Sequence, residues 1–346
     1  MLCYLTGQGV PLTLFTLAEA EALAFETLVR CRTSSENARS VARALVAAEA
    51  EGLKGHGLSR LPSYAAQAKV GKVDGFATPV LTARRPATLE IDAGNGFAYP
   101  AIDVAVASLP QTALNQGIAA AAICRSHHCG ALGHPVERLA RSGLVAMMFA
   151  NTPAAIAPAG GTKGIFGTNP IAFACPLPHQ APIVVDLSLS KVARGNILAA
   201  KQKGERIPEG WALDAAGRPT TDPEAALNGT MVPLGDAKGT ALALMVELLA
   251  AGLTGANFAV EASSFLDAEG PPPGTGQLII AVSPAALRGS DMTPHFAHLA
   301  DLIREQDGAR LPGGRRFAAR EKAAANGLTI DDALLAEIRN VIIRCQ

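Results

Sequence analysis

The chain has 346 residues, 49% apolar and 17% charged, with Lys+Arg and Asp+Glu both at 30. That length and apolar share describe a well-buried globular protein with room for two structural units, and they exclude a disordered chain. Zero formal charge excludes partners drawn by a net basic field, nucleic acid or an anionic membrane. It leaves a surface that tolerates self-association, so any attraction for an anion is local.

The N-terminal stretch MLCYLTGQGVPLTLF lacks a basic n-region, and Glu19 and Glu21 soon follow, so no signal peptide is read there. Thr16-Leu-Ala-Glu19 is a capping box that predicts a helix over 17–31. Ser34 or Ser35 starts a second helix that places Val41, Ala44, Leu45 and Ala48 on one face and ends at Gly52 and Gly55. A third runs from about Arg60 to Gly71. TLEIDAG and GIAAAAICRSH then read as strands, and HPVERLARSG as a helix opening at Pro135 and closing at Gly143. LVAMMFAN, IAFACP and PIVVDLS are three further strands, all far too short to span a bilayer. GDAKGTALALMVELLAAGLTG is a long, mostly buried helix ending at Gly252, and QLIIAVS is a late strand. From about 285 the chain turns helical again, through a basic turn RLPGGRR. The picture is an α/β layer domain (86–284) set between helical segments at 1–85 and 285–346. Six cysteines (Cys3, Cys31, Cys124, Cys129, Cys175, Cys345) are scattered without a C-x-x-C, which predicts reduced thiols in a cytoplasm rather than a disulfide framework.

The triplets GHG, GNG and GTG do not extend to G-x-G-x-x-G, and no G-x-x-x-x-G-K-[ST] occurs, so a Rossmann fingerprint and a P-loop are absent. CRSHHCGALGHP lies between a buried strand and a helix start. Its glycines and free N–H groups suit a phosphate or carboxylate, and His127 and His128 add donors. A zinc site built from His127, His128, Cys129 and His134 is disfavoured, because adjacent side chains on a strand diverge; no metal is expected. GGTKGIFGTNP offers Lys163, Thr168 and Asn169 on a loop that suits a small polar substrate, or two plain turns. VVDLSLSKVARGNI carries Asp186, Ser188, Ser190, Lys191 and Arg194 at a strand end, suited to ribose and phosphate or to a salt-bridged strand end. The three arginines of RLPGGRR suit a phosphate or a solvated turn. His56 is clasped by Gly55 and Gly57, which open it to a ligand. Arg60, one helical turn on, can add a carboxylate fork to that proton donor.

Together GHGLSRLPSY, SHHCGALGH, NTPAAIAPAGG, FGTNPIAFACP, VVDLSLSKVARGNI, GDAKGTALALMVE and RLPGG resemble the NAD(P)-dependent malate/L-lactate dehydrogenase-like oxidoreductases. That family includes sulfolactate and ureidoglycolate dehydrogenases and the cyclic ketimine (piperideine- and pyrroline-2-carboxylate) reductases. The resemblance implies an α/β fold with a three-layer, mixed-sheet, non-Rossmann cofactor domain, a helical domain formed from both termini, and a homodimer. By motif, His56 resembles the proton donor, with Asn196 at the position of its relay partner. Arg60 resembles the residue that holds the substrate carboxylate, and Thr168 a second substrate contact. His128, Cys129, Gly130, Ala131, Leu132, Asp186, Leu187, Ser188, Arg194, Gly195, Lys238, Arg310, Leu311, Pro312, Gly313 and Gly314 resemble contacts to NADPH, with NADH as the alternative.

Two departures matter. Relatives often carry Ser before the motif histidine, and ketimine reductases an Asp after the ARG-like motif; here these are Gly55 and Asn196. His56 then lacks an anionic partner, so its pKa is expected to be raised less than in relatives. The wording GHGLSRLPSYAAQ…GKVDG and the lighter acid catalysis that an imine needs favour a reductase of small cyclic 2-imino acids, giving L-proline or L-pipecolate. The alternative is a 2-hydroxy acid dehydrogenase of the malate or lactate type. Neither reading involves nucleic acid or membrane.

Overall fold

In a computed structural model the described residues are 3–5 and 11–345. Strands β1 (Cys3–Leu5) and β2 (Pro11–Phe15) precede helices α1 (Leu17–Arg30), α2 (Ser35–Ala50) and α3 (Leu61–Val70), with 3-10 turns at Lys54–His56 and Leu58–Arg60 before α3. There follow β3 (Val80–Arg85), β4 (Thr88–Asp92), α4 (Ala98–Gln116), β5 (Ile118–Ser126), α5 (Gly133–Arg141), β6 (Val145–Ala150), β7 (Ile171–Cys175) and β8 (Ile183–Leu187). Next come α6 (Arg194–Lys203), β9 (Ala212–Leu213), β10 (Pro219–Thr220), α7 (Pro223–Leu227), β11 (Thr230–Met231) and α8 (Ala237–Glu247), which continues as a π-type turn to Gly252. The chain closes with β12 (Thr275–Val282), α9 (Pro284–Arg288), α10 (Thr293–Arg304), α11 (Gly314–Asn326), β13 (Leu328–Asp331) and α12 (Asp332–Arg344).

The protein is a mixed α/β structure around one mixed sheet, ordered β3-β4-β5-β12-β6-β7-β8. Only β4 and β5 run parallel, joined by α4 as a crossover; every other neighbouring pair in that sheet is antiparallel. Helices cover both faces, because residues of both parities along the central strands are apolar. On one face Ile91, Ala121, Ile123 and Met148 pack with Leu109 of α4 and Val136 and Leu139 of α5. On the other, Phe149 and Leu278 pack with Val246 of α8 and Ile197 of α6. A third cluster joins the two ends of the chain: Leu28, Leu45, Leu58 and Tyr64 meet Ile330, Leu335 and Ile338.

The capping box is present, with Glu19 N donating to Thr16 Oγ1 and Thr16 N to Glu19 Oε2. The α4 helix has no counterpart in the sequence reading, and neither do β3, the three-stranded sheet β1-β2-β13 or α6. The cysteine expectation is corrected: Cys31 and Cys345 form a disulfide. Their separation of 314 residues hides a proximity that only the packing of α12 against the N-terminal helices creates. Among the described residues no helix is long and apolar enough to cross a membrane.

Candidate active site

The two glycines around His56 do different work. A Cβ on Gly57 would lie 2.2 Å from Glu49 Oε2 and 3.1 Å from Glu49 Cα, so only glycine lets the turn close on α2. Glu49 Oε2 accepts from Leu58 N at 3.0 Å and fixes that closure. Gly55 faces open space. Arg60 Nε donates to Gly55 O at 2.6 Å, which folds the guanidinium back over the turn beside His56 and leaves its terminal nitrogens for a ligand. The His56 ring stacks on that of His128, with centroids 5.4 Å apart and planes within 15°. His56 Nδ1 is sealed from solvent and has no hydrogen-bond partner. Burial, reinforced by Arg60, His134 and Arg316, pulls its pKa down to about 4. The expected upward shift is thereby corrected in sign: burial disfavours the imidazolium, and the Arg60 guanidinium adds to it.

Beyond β5 the two histidines part ways. Gln67 Nε2 donates to Phe265 O at 2.9 Å, so Gln67 Oε1 is left to accept from His127 Nε2 at 2.8 Å. His127 is therefore enclosed by Tyr64, Phe97 and Phe265 as an Nε2–H imidazole, and burial drops its pKa to about 3. His128 instead turns Nδ1 to the hydroxyl of Tyr64, which in turn meets the Tyr99 hydroxyl at 3.1 Å. His134 faces Glu51 at 2.9 Å. The three histidines thus serve three different partners, and among the described residues no group of three His, Cys, Asp or Glu side chains could hold a metal.

Cys129, Gly130, Ala131 and Leu132, all buried, lead from His128 to α5. The N-terminus of α5 was expected to offer its N–H groups to a ligand anion. Its Gly133 N–H is already taken, donating to Asp186 Oδ2 at 2.8 Å at the end of β8. Arg316 explains why: its Nη1 lies 3.4 Å from the same oxygen and 2.1 Å from where a Gly133 Cβ would sit. Arg316 Nε also donates to Glu51 Oε2 at 2.6 Å, and Arg320 joins Glu51 to Glu137. Burial would raise the Glu51 pKa, but His134 and the two arginines hold it near 2.

The turn Arg310–Gly314, with Arg310, Pro312 and Gly314 exposed, is seated on β8 through Gly313, which is left-handed (φ 89°) and 3.2 Å from Val184 O by its Cβ position. Leu187 is exposed, and Ser188 Oγ meets Ser190 Oγ at 3.1 Å. Thr168 is tied to this strand end, since Leu189 N donates to Thr168 O at 2.8 Å. The loop before α8 also lies here, with Leu234 N donating to Leu189 O at 2.8 Å, and the exposed Lys238 stands in the first turn of α8. Arg194 Nη2 donates to Leu227 O at 3.0 Å. Gly195 and Asn196 are exposed on the first turn of α6, and among the described residues no hydrogen bond joins Asn196 to His56.

Two groups lie along the end of β8. One links His56, Arg60 and His128 through residues 129–133 to Asp186 and the 310–314 turn; the other links Thr168 and Ser188 to the segment before α8. Among the described residues no side-chain hydrogen bond or ion pair joins Arg194 or Lys238 to either. Their donors fit a dinucleotide: a carboxylate and hydroxyls for ribose, and the exposed Arg310 turn for phosphate. Arg316 is already engaged, its Nη2 lying 2.6 Å from Glu51 Oε2 and its Nη1 3.4 Å from Asp186 Oδ2. Sequence reasoning missed Tyr64, Gln67, Tyr99, Phe265 and Glu51; it named Arg316 among the RLPGGRR arginines for a phosphate or a solvated turn, where the structure pairs it with Glu51 and Asp186. Only Tyr64, one helical turn from Arg60, had a signal in its spacing.

This arrangement belongs to an NAD(P)-dependent oxidoreductase. The malate/L-lactate dehydrogenase profile matches residues 15–339, and the chain belongs to that family. The chain is 50% identical over 326 residues to a (2R)-3-sulfolactate dehydrogenase (NADP(+)) of Chromohalobacter salexigens, covering 94% of this chain and 97% of that one. It is 42% identical over 325 residues to a Δ1-pyrroline-2-carboxylate/Δ1-piperideine-2-carboxylate reductase of Pseudomonas aeruginosa, covering 93% and 97%. The crystal structure of Δ1-piperideine-2-carboxylate reductase from Pseudomonas syringae superposes with a TM-score of 0.89 at 37% identity, covering 95% of this chain and 99% of that one.

Proposed function

We propose that this enzyme is an NADP(H)-dependent 2-hydroxy acid dehydrogenase whose substrate carries two negative groups, of the sulfolactate/sulfopyruvate class. Arg60 carries this reading: its Nε is spent on Gly55 O beside His56, its terminal nitrogens are paired with no carboxylate among the described residues, and His134 and Arg316 next to it are already matched by Glu51. A cationic iminium would be repelled by that guanidinium, whereas a dianion is attracted and lifts the His56 pKa as it binds. Gly55 and Asn196, which at first favoured an imine, then favour the opposite, because they remove the anionic support that a cation would use. The 50%-identical relative is named for sulfolactate and NADP+.

When bound, the dinucleotide supplies or takes the hydride. Asp186 and Ser188 would hold ribose hydroxyls, the backbone of His128–Leu132 would line the cofactor, and Arg194, Gly195, Lys238 and the turn Arg310–Gly314 would meet its phosphates. Arg60 grips the substrate carboxylate with its terminal nitrogens, and Thr168 touches the far end. His56, neutral at pH 7, takes the hydroxyl proton during oxidation and returns it during reduction.

The second reading, reduction of a cyclic 2-imino acid such as pyrroline- or piperideine-2-carboxylate, is favoured by the 0.89 superposition on a piperideine-2-carboxylate reductase. A protonated imine brings its own proton and so also tolerates a neutral His56. Following the oxidation of NADPH, then NADH, with 3-sulfopyruvate, oxaloacetate, pyruvate and Δ1-pyrroline-2-carboxylate separates the two. Sulfopyruvate turnover with NADPH is expected to dominate; turnover of the pyrroline alone replaces the first reading with the second.

The assembly belongs to the same proposal. Leu242, Met245, Leu248 and Leu253 form an exposed apolar stripe on α8 and its extension, as a homodimer contact would. The cluster that joins Leu28 and Leu45 to Leu335 and Ile338 supports a helical unit from 1–85 and 285–346 beside a three-layer, non-Rossmann cofactor unit at 86–284.

A further inference from the structure

We propose that Tyr64 and Tyr99 are positioning residues that hold His128 as the Nε2–H tautomer and so present an N–H donor to the oxygen on the substrate's C2. Three polar atoms lie in a row: Tyr99 Oη, Tyr64 Oη at 3.1 Å, and His128 Nδ1. The row can be polarised in two ways. If Nδ1–H donates to Tyr64, then Tyr64 donates to Tyr99, and the Tyr99 hydroxyl hydrogen has no acceptor among the described residues. If Tyr99 donates to Tyr64 and Tyr64 to Nδ1, both hydroxyl hydrogens are satisfied. Each polarity leaves one hydrogen without a protein acceptor, the Tyr99 hydroxyl's in the first and the Nε2–H in the second. His128 Nε2 is not among the sealed, unpartnered atoms, so its hydrogen can be met from the cleft; the second polarity holds and the ring proton sits on Nε2.

Aromatic neighbours flank the imidazole and hold its plane. His56 stacks on it at 5.4 Å and Phe265 lies at 5.2 Å. Phe265 is itself fixed through its carbonyl by Gln67. Next door, His127 carries the same tautomer, but its Nε2–H is spent on Gln67 inside the core. Only His128 keeps its donor for a ligand. A neutral donor of fixed direction is useful where an oxygen gains charge as hydride arrives. It transfers no proton; the proton moves through His56. This division of labour rests on the 2-hydroxy acid reading, since a protonated imine nitrogen is itself a donor and has no use for another.

The tautomer can be read without substrate. In the full-length apoenzyme labelled with 15N-histidine, the His128 signals are those lost in His128→Gln. At pH 7 they are expected to show a protonated Nε2 and a bare Nδ1. A protonated Nδ1, or an imidazolium, overturns the proposal and indicates that Tyr99 gives its hydrogen to water in the cleft of about 330 Å³ that it borders. Tyr64→Phe is expected to release the tautomer into a mixture and to lower kcat about tenfold with little change in KM. An unaltered tautomer and kcat would overturn the proposal as well. If Tyr64→Phe does not fold, Tyr99→Phe is expected to shift both readouts in the same direction. An Nε2–H tautomer in an enzyme that reduces only the pyrroline leaves the hold of Tyr64 and Tyr99 on the ring standing, and removes both the donor's role toward a C2 oxygen and the 2-hydroxy acid reading.

Discussion

His56 is a neutral base held among cations, and its chemistry follows from what its neighbours lack. With a pKa near 4 in the free enzyme, it is deprotonated throughout the neutral range. The kcat/KM for oxidation is therefore expected to stay level from pH 8 to about 5 and to fall only below that. Gly55→Ser tests the missing partner directly. Nothing lies within 4 Å of a Cβ there, so the variant should fold with a stability change of about 0.5 kcal/mol or less. Its hydroxyl can accept from the orphaned Nδ1 and favour the imidazolium, moving the acidic limb upward in pH. An unmoved limb means that the hydroxyl does not reach His56. His56→Ala should lower kcat about 100-fold while leaving NADPH affinity, measured by fluorescence titration, nearly unchanged; a comparable loss of affinity would make His56 a cofactor residue instead.

At the level of elements, what was legible in the sequence is what local chemistry fixes. Thr16 and Glu19 announced α1, Ser34 announced α2, and the apolar runs announced β5 to β8. The glycine bracket and the four-residue spacing singled out His56 and Arg60 as a pair, and the two do share one turn. Helix α4 was illegible because Pro100 and Pro110 interrupt its reading. The first falls in the opening turn, where its missing N–H costs nothing, and the second is carried inside a helix that packing sustains. The strap around Phe265 was illegible for another reason: its anchors lie about 200 residues away in sequence. Lys72, wholly buried, donates from Nζ to Ser264 O at 2.7 Å, Asp267 O at 3.0 Å and Asp267 Oδ1 at 3.3 Å. Nothing in GKVDG distinguishes that ammonium from a surface lysine. Lys72→Met keeps the volume but leaves two carbonyls unpaired, so a loss of about 2 kcal/mol in denaturant unfolding is expected. Proteolysis should then cut first near 264–267, and a strap that stays protected would mean that Gln67 alone anchors it.

For the whole molecule, the closure of the termini and the buried ionisable groups set the conditions under which it holds together. The Cys31–Cys345 bond ties α1 to the end of α12 around the third core cluster, so a thiol assay under denaturing conditions should find two more thiols after reduction than before. Equal counts would mean that the pair is a close dithiol. The acid side follows from depressed pKa values, the buried His128 among them, and three set the windows. His56 falls to about 4 and His127 to about 3 from an unfolded value of 6.5, while Glu51 falls to about 2 from 4.5. In each case the unfolded chain binds the proton at a higher pH than the folded one, so stability is lost as pH falls through the interval between the two values. The histidines act first, from pH 6.5 downward, because folding holds both neutral, His127 among aromatic rings and His56 out of water beside Arg60. Glu51 adds its loss only below 4.5, when its pairs with Arg316 and Arg320 begin to break. At pH 5 each histidine contributes a loss on the order of 2 kcal/mol, so Tm should be lower than at pH 7.5 by about 5 °C or more. High salt would leave most of this intact, because burial rather than exposed charge produces it. A Tm equal at pH 7.5 and pH 5 would mean that both rings open to solvent in solution, and the stacked His56–His128 arrangement would fall with that result.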